Sequence, residues 1–163
     1  MIDYIGEYKL QGVKHKMYFV DRDHIEKTLL YLNGLLETFE QSKAESFLEK
    51  LGVERLAQMS IESIIDVGNM MIDGFIMRDP GSYEDIIDIL IDEKVIPAED
   101  ETAYKEIIEL RKMLVHEYTN VNHEKIVDVF DRHFGTIEQF RTHVLNYLEN
   151  EMGPVTTFKK REE

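Results

Sequence analysis

Apolar residues return every third or fourth position through most of this chain, and that periodicity excludes nearly every architecture except packed helices. Ile25, Leu29, Leu32, Leu36 and Phe39 make one stripe and predict a helix over about Asp21–Glu40, with Asp21 or Asp23 as its N-cap. Leu56, Met59, Ile64, Val67, Met71 and Phe75 make a second stripe within about Ala44–Met77, which Gly52 is expected to divide. Ile61, Ile65 and Ile72 widen that stripe, so this helix is expected to be central and buried on much of its circumference. Asp79-Pro80-Gly81-Ser82 reads as a turn ending in an N-cap serine, ahead of a third helix over Tyr83–Glu93. A fourth is expected over about Glu99–Val115, with acidic residues at its positive end. Asn120 or Asn122 is placed to cap a fifth stretch, His123–Asn150, with a break expected at Gly135.

The fold class is therefore all-α, an up-and-down bundle of about five helices. A length of 163 residues suits one domain able to bury a core without staples. There is no cysteine, so disulfides and thiolate chemistry are excluded, and a cytoplasmic location is expected. No apolar run is long enough for a membrane span and no apolar leader opens the chain. The formal charge of −14 repels nucleic acid at long range, which argues against DNA binding and suits a basic protein partner.

The two ends read differently from the middle. A short strand or hairpin is expected at Lys14–Val20. Met17 also reads as a natural start, so residues 1–16 are expected to be a non-native or flexible extension, 17–152 the bundle, and 153–163 a flexible tail.

Chemistry concentrates in Leu110-Arg111-Lys112-Met113-Leu114-Val115-His116-Glu117-Tyr118. An arginine and a histidine suffice to cleave RNA without metal. The imidazole takes the 2′-hydroxyl proton or protonates the leaving 5′-oxygen, and the guanidinium matches phosphate oxygens. Geometry restricts the idea, because five residues on an ideal helix are about 140° of rotation. Either the helix ends between Val115 and His116, or a second chain completes the site. A plainer reading of the same residues pairs Arg111 with an acidic neighbour such as Glu117, caps the helix end with His116 and packs Tyr118. The carboxylates Asp85, Asp88 and Asp92 read as a solvated face, not a metal site. His123, His133 and His143 read as surface or half-buried residues.

The run R-K-M-L-V-H-E-Y resembles the R-x-x-x-x-H-x-Y motif of the HepT-like branch of the HEPN ribonucleases. Ile61–Asn69 is similar to that family's long second helix, and Asp79–Asp85 to its turn into the third. The resemblance spans about residues 17–150. It implies a HEPN-like five-helix bundle that forms a symmetric homodimer with the motifs facing across the interface. It implies a metal-independent endoribonuclease, the toxin of a toxin–antitoxin pair, with RNA as substrate and tRNA as one candidate. No cofactor is implied. Arg111 and His116 are then the catalytic residues. The implied partner is a small nucleotidyltransferase antitoxin, MntA, which attaches AMP to the motif tyrosine, by position Tyr118. Lys112 departs from the asparagine usual after the arginine. It either adds a phosphate contact or marks a member without catalysis, in which case the chain is a helical binding subunit that docks the nucleotidyltransferase.

Overall fold

The computed structural model describes residues 7–10, 13–16 and 20–153. Among the described residues, six α-helices carry the fold: α1 (Arg22–Gln41), α2 (Phe47–Gly74), α3 (Tyr83–Asp92), α4 (Glu101–His116), α5 (His123–Glu138) and α6 (Phe140–Met152). A short 3₁₀ turn, Ala98–Asp100, leads into α4. Two strands, β1 (Glu7–Leu10) and β2 (Val13–Lys16), pair antiparallel with Leu10 opposite Val13. The second strand overlaps the expected Lys14–Val20 segment at Lys14–Lys16, the hairpin as a whole begins earlier in the chain, and it adds a small β element to the helical class. Only two residues separate the strands, the commonest hairpin spacing. Met17 and residues 154–163 lie outside the described residues, as do the readings placed on them.

α2 is the central helix and touches α1, α3, α4 and α5. Ile61, Ile64, Val67 and Met71 are fully buried along it. Each such side chain contributes about 1.5–3 kcal/mol relative to exposure. Ser60 and Ser63 are buried too, and each hydroxyl donates to the carbonyl one turn back, Leu56 and Met59. α2 runs unbroken through Gly52. A capping box closes its start, with Ser46 accepting from the Glu49 N–H and Glu49 accepting from the Ser46 N–H.

The expected fifth stretch is two helices, and the break falls at Gln139, not Gly135. The Gln139 N–H reaches back to the Thr136 carbonyl, three residues away, which tightens one turn. Gly135 has open space around it, so nothing forces a break there. Ile137 and Phe140, on either side of the tightened turn, both stay buried. α6 returns to α1, where the Arg22 guanidinium donates to the Gly153 carbonyl at 3.3 Å.

Two features fix α3 against α2. At Gly68 a Cβ would stand 2.5 Å from the Ile86 Cγ2, so only glycine lets the helices approach this closely. The α2 end is a Schellman-type cap in which Ile76 takes φ 55°, and the Met77 N–H bonds the Ile72 carbonyl at 2.9 Å. That cap turns the chain into the Asp79–Ser82 loop and delivers Tyr83 to the start of α3.

Candidate functional site

Three helices converge on Arg111. Its Nε donates to the Glu62 Oε1 of α2 at 2.6 Å. Its guanidinium carbon lies 4.5 Å from the centre of the Tyr83 ring, at the start of α3. Side-chain exposures of 22% for Arg111 and 29% for Glu62 leave the pair at the boundary between core and solvent. An ion pair this short and half-buried contributes on the order of 1–3 kcal/mol, against about 0–1 for a surface pair. The hydrogen bond to Glu62 raises the arginine's pKa above its already high ordinary value, against a smaller opposing effect of burial. One turn along α2, the Asp66 carboxyl is pushed up, by burial first and by the neighbouring Glu62 charge second.

The turn that carries Tyr83 is clamped. Arg78 donates from both terminal nitrogens to the two Asp85 oxygens at 2.8 Å each. The Gly81 N–H also donates to Asp85, at 2.8 Å, and the Asp85 N–H donates to the Ser82 hydroxyl. Chiefly the Arg78 hydrogen bonds, then the Gly81 N–H, pull the Asp85 pKa down to about 2. The other carboxylates of the α3 outer face are also paired with cations, Asp88 with Lys105 and Asp92 with Arg78. Among the described residues, no group of three or more histidines and carboxylates could hold a metal ion.

The other half of the motif looks different. α4 continues through His116, so the helix does not end between Val115 and His116 as one expectation required. The reason is local: the Glu117 N–H still bonds the Met113 carbonyl at 3.0 Å, and the chain turns only afterwards. The imidazole therefore sits in the last turn of α4. Lys112 and His116, four residues apart, share the solvent face of α4 and are both exposed. Arg111 points elsewhere, about 140° around the axis and about 7.5 Å along it from His116. Tyr118, beyond the helix end, is 69% exposed. The Asn122 side chain caps α5, and its N–H reaches the Met113 sulfur at 3.3 Å.

So the fold brings Lys112 and His116 together and separates Arg111 from both. The plainer reading of these residues is corrected in two particulars: Arg111 pairs with Glu62, not Glu117, and Tyr118 is not packed. Glu62 and Tyr83 are site residues that motif reading missed. A weak signal for Glu62 existed, since Glu62 and Asp66 are the two carboxylates of the largely apolar run Ile61–Val67, and a carboxylate half-buried there favours a cation nearby. His123 and His133 are half-buried, with His133 Nε2 2.6 Å from Glu106 and His123 Nε2 3.6 Å from Glu54.

Comparison with known proteins bears on this arrangement. The family model described as ribonuclease HepT-like matches residues 22–144. A protein of Bacillus subtilis (strain 168) named "Putative RNase YutE" is 44% identical over 144 residues, covering 88% of this chain and 100% of that protein. The solved structure of YutE, described as a cytosolic protein of unknown function, superimposes with a TM-score of 0.83 at 43% identity, over 87% of this chain and 100% of that one. A tri-AMPylated Shewanella oneidensis HEPN toxin in complex with an MNT antitoxin shares the fold, with a TM-score of 0.69 at 21% identity over 77% and 98% of the two chains. A toxin–antitoxin structure with AMP-PNP does so with a TM-score of 0.67, also at 21% identity, over 76% and 98%. The matched region runs from the first turn of α1 into α6 and contains the whole Arg111–His116 segment, and the chain belongs to the ribonuclease HepT-like family.

Proposed function

We propose that this chain is a metal-independent endoribonuclease, the toxin of a toxin–antitoxin pair, acting as a symmetric homodimer. One observation carries the reading. The same helix presents a guanidinium held by Glu62 and Tyr83 and, on another face, an exposed histidine whose side chain no described residue engages. A partner-held arginine and an open histidine about 140° apart make sense when a second copy brings its own motif to the first.

In this reading Arg111 binds the scissile phosphate with its two terminal nitrogens, the edge that Glu62 leaves open. The 2′-oxygen attacks phosphorus, the bond to the 5′-oxygen breaks, and the products carry a 2′,3′-cyclic phosphate and a 5′-hydroxyl. His116 moves the proton, and Lys112, on its face, adds a charge toward the phosphate. Regulation follows from Tyr118. Its exposed phenol gives up its proton to solvent or to a base of a MntA-like nucleotidyltransferase, its oxygen attacks the α-phosphorus of ATP, AMP is retained on the ring, and pyrophosphate leaves. An AMP at the end of α4 places negative charge beside His116 and blocks RNA.

The test is RNA cleavage by the purified chain in excess chelator. Wild type is expected to produce cyclic-phosphate ends, and His116→Ala to lose about 10²–10⁴ in rate with unchanged melting. Tyr118→Phe should still cleave but accept no AMP from the transferase. The Arg111–Glu62 pair favours one other reading, in which Arg111 is structural and the chain is a non-catalytic subunit docking the transferase. Intact RNA with both wild type and His116→Ala decides for that reading.

A further inference from the structure

Tyr83 is a large aromatic at the first position of α3, 44% exposed, and its environment is built with more care than a surface side chain needs. Four hydrogen bonds centred on Asp85 hold the turn before it. The close contact of Gly68 with Ile86 seats α3 on α2 one turn further along. One side of the ring is covered by the Arg111 guanidinium at 4.5 Å. Glu62 fixes that guanidinium from its Nε edge. The residue nonetheless stays exposed despite that cover.

We propose that Tyr83 is a stacking subsite for one unstacked base of single-stranded RNA, adjacent to the phosphate held by Arg111. The inference rests on the ribonuclease reading and adds to it the form of RNA that the site takes. The chemistry is that of an amphipathic ring beside a phosphate-binding fork. A flat aromatic face accepts any base, while the neighbouring guanidinium holds the backbone. The 4.5 Å between guanidinium and ring places the two contacts within reach of one nucleotide or of neighbours in the strand. A base inside an A-form helix keeps its faces stacked and hidden, so this subsite selects loops and single strands over duplex. Glu62 is a positioning residue here, since it touches Arg111 and not the RNA. The formal charge of −14 makes such a local contact more necessary, because long-range attraction of RNA is absent.

The experiment uses the full chain and a mixed-sequence 2′-O-methyl oligoribonucleotide about 12 nucleotides long, which binds but cannot be cleaved. It is presented single-stranded and as a duplex. Tyr83→Leu is expected to weaken single-strand binding about 5- to 150-fold, the range for loss of one base–aromatic stack, and to leave duplex binding as it was. Tyr83→Phe, which keeps the ring, should recover what Tyr83→Leu loses. With cleavable RNA the loss should fall on KM more than on kcat. Equal binding of single strands by wild type and Tyr83→Leu, with RNA still cleaved, overturns the subsite and leaves the ribonuclease reading intact. So does a Tyr83→Leu chain that loses its dimer in light scattering, which assigns the ring to contact between copies. A wild-type chain that neither binds nor cleaves RNA removes both.

Discussion

The surroundings of Arg111 and those of His116 differ in almost every physical respect, though five residues of one helix separate them. Around Arg111, α2, α3 and α4 meet, a carboxylate at 2.6 Å and a ring at 4.5 Å fix the guanidinium, and a glycine contact sets the helix spacing. Around His116 the helix stops, the following turn is exposed from Glu117 to Asn120, and the tyrosine projects into solvent. Preorganisation is strongest where a group must hold still against developing charge, and it costs no rearrangement when the reaction occurs. In the proposed function the other group meets a second chain and is then reached by a modifying enzyme, and such a group has to stay open. On that proposal the motif joins a finished half-site to an unfinished one.

The largest effect is expected when variants of the two regions are mixed. Arg111→Ala and His116→Ala are each expected to be inactive. If the arginine of one copy works with the histidine of another, mixing and exchanging them should restore about a quarter of wild-type cleavage, because half the dimers carry one intact composite site of two. No recovery on exchange, with mixed dimers shown by mass spectrometry, would place both residues of each site in one chain.

Glu62→Ala comes next. It removes the anchor on the finished side, and a misplaced fork is expected to lower kcat about 10- to 100-fold with a smaller change in KM. Glu62→Gln, which can still accept from Nε, should recover part of it. NMR titration supplies an independent reading: with the Glu62 charge gone, the Asp66 carboxyl should titrate lower than in wild type, since that charge helps hold it up. An unchanged Asp66 together with wild-type kcat would make the Glu62–Arg111 pair a matter of stability alone.

These two regions were also unequally legible in the sequence. Helical spacing of Ile25–Phe39 and of Leu56–Phe75 located α1 and α2 because burial enforces the period directly. The turn at Asp79–Ser82 was legible through its proline, glycine and capping serine. Arg111, Lys112, His116 and Tyr118 stand together in one run, so a linear motif could single them out. Glu62 and Tyr83 are 49 and 28 positions away from Arg111 in the chain, and only the packing of α3 on α2 brings them to it. The break at Gln139 was misplaced for a related reason. A glycine weakens a helix but does not end one, and the tightened turn comes from where Ile137 and Phe140 must both reach the core.

That packing can be tested by itself. Gly68→Ala places a methyl 2.5 Å from Ile86 Cγ2, and is expected to destabilise by about 1–3 kcal/mol in urea, because α3 must move or Ile86 must leave its rotamer. Ile86→Val in the same chain should recover part of the loss if it makes room for the new methyl. If α3 moves, Tyr83 moves with it, and the ring should leave the guanidinium. Cleavage should then fall beyond what the remaining folded fraction explains, whereas an alanine at an exposed site such as Gly52 should cost nothing comparable.

The smallest effect concerns the clamp behind Tyr83. Asp85 has its pKa lowered from 3.8 to about 2 in the folded chain, by Arg78 first and the Gly81 N–H second. A carboxyl that is more acidic folded than unfolded stabilises the fold fully above its unfolded value and loses that contribution as the pH falls through its folded one. The clamp's contribution should therefore be complete above about pH 4 and fade toward pH 2. Asp85→Asn keeps the shape, cannot titrate, and should flatten the fall in melting temperature across that window while lowering stability modestly at neutral pH. High salt should narrow the gap between the two chains at neutral pH, since the pair is on the surface. An identical acid limb in both chains would mean that the turn before Tyr83 is held by its backbone and its serine cap, with the Arg78 pair adding nothing measurable.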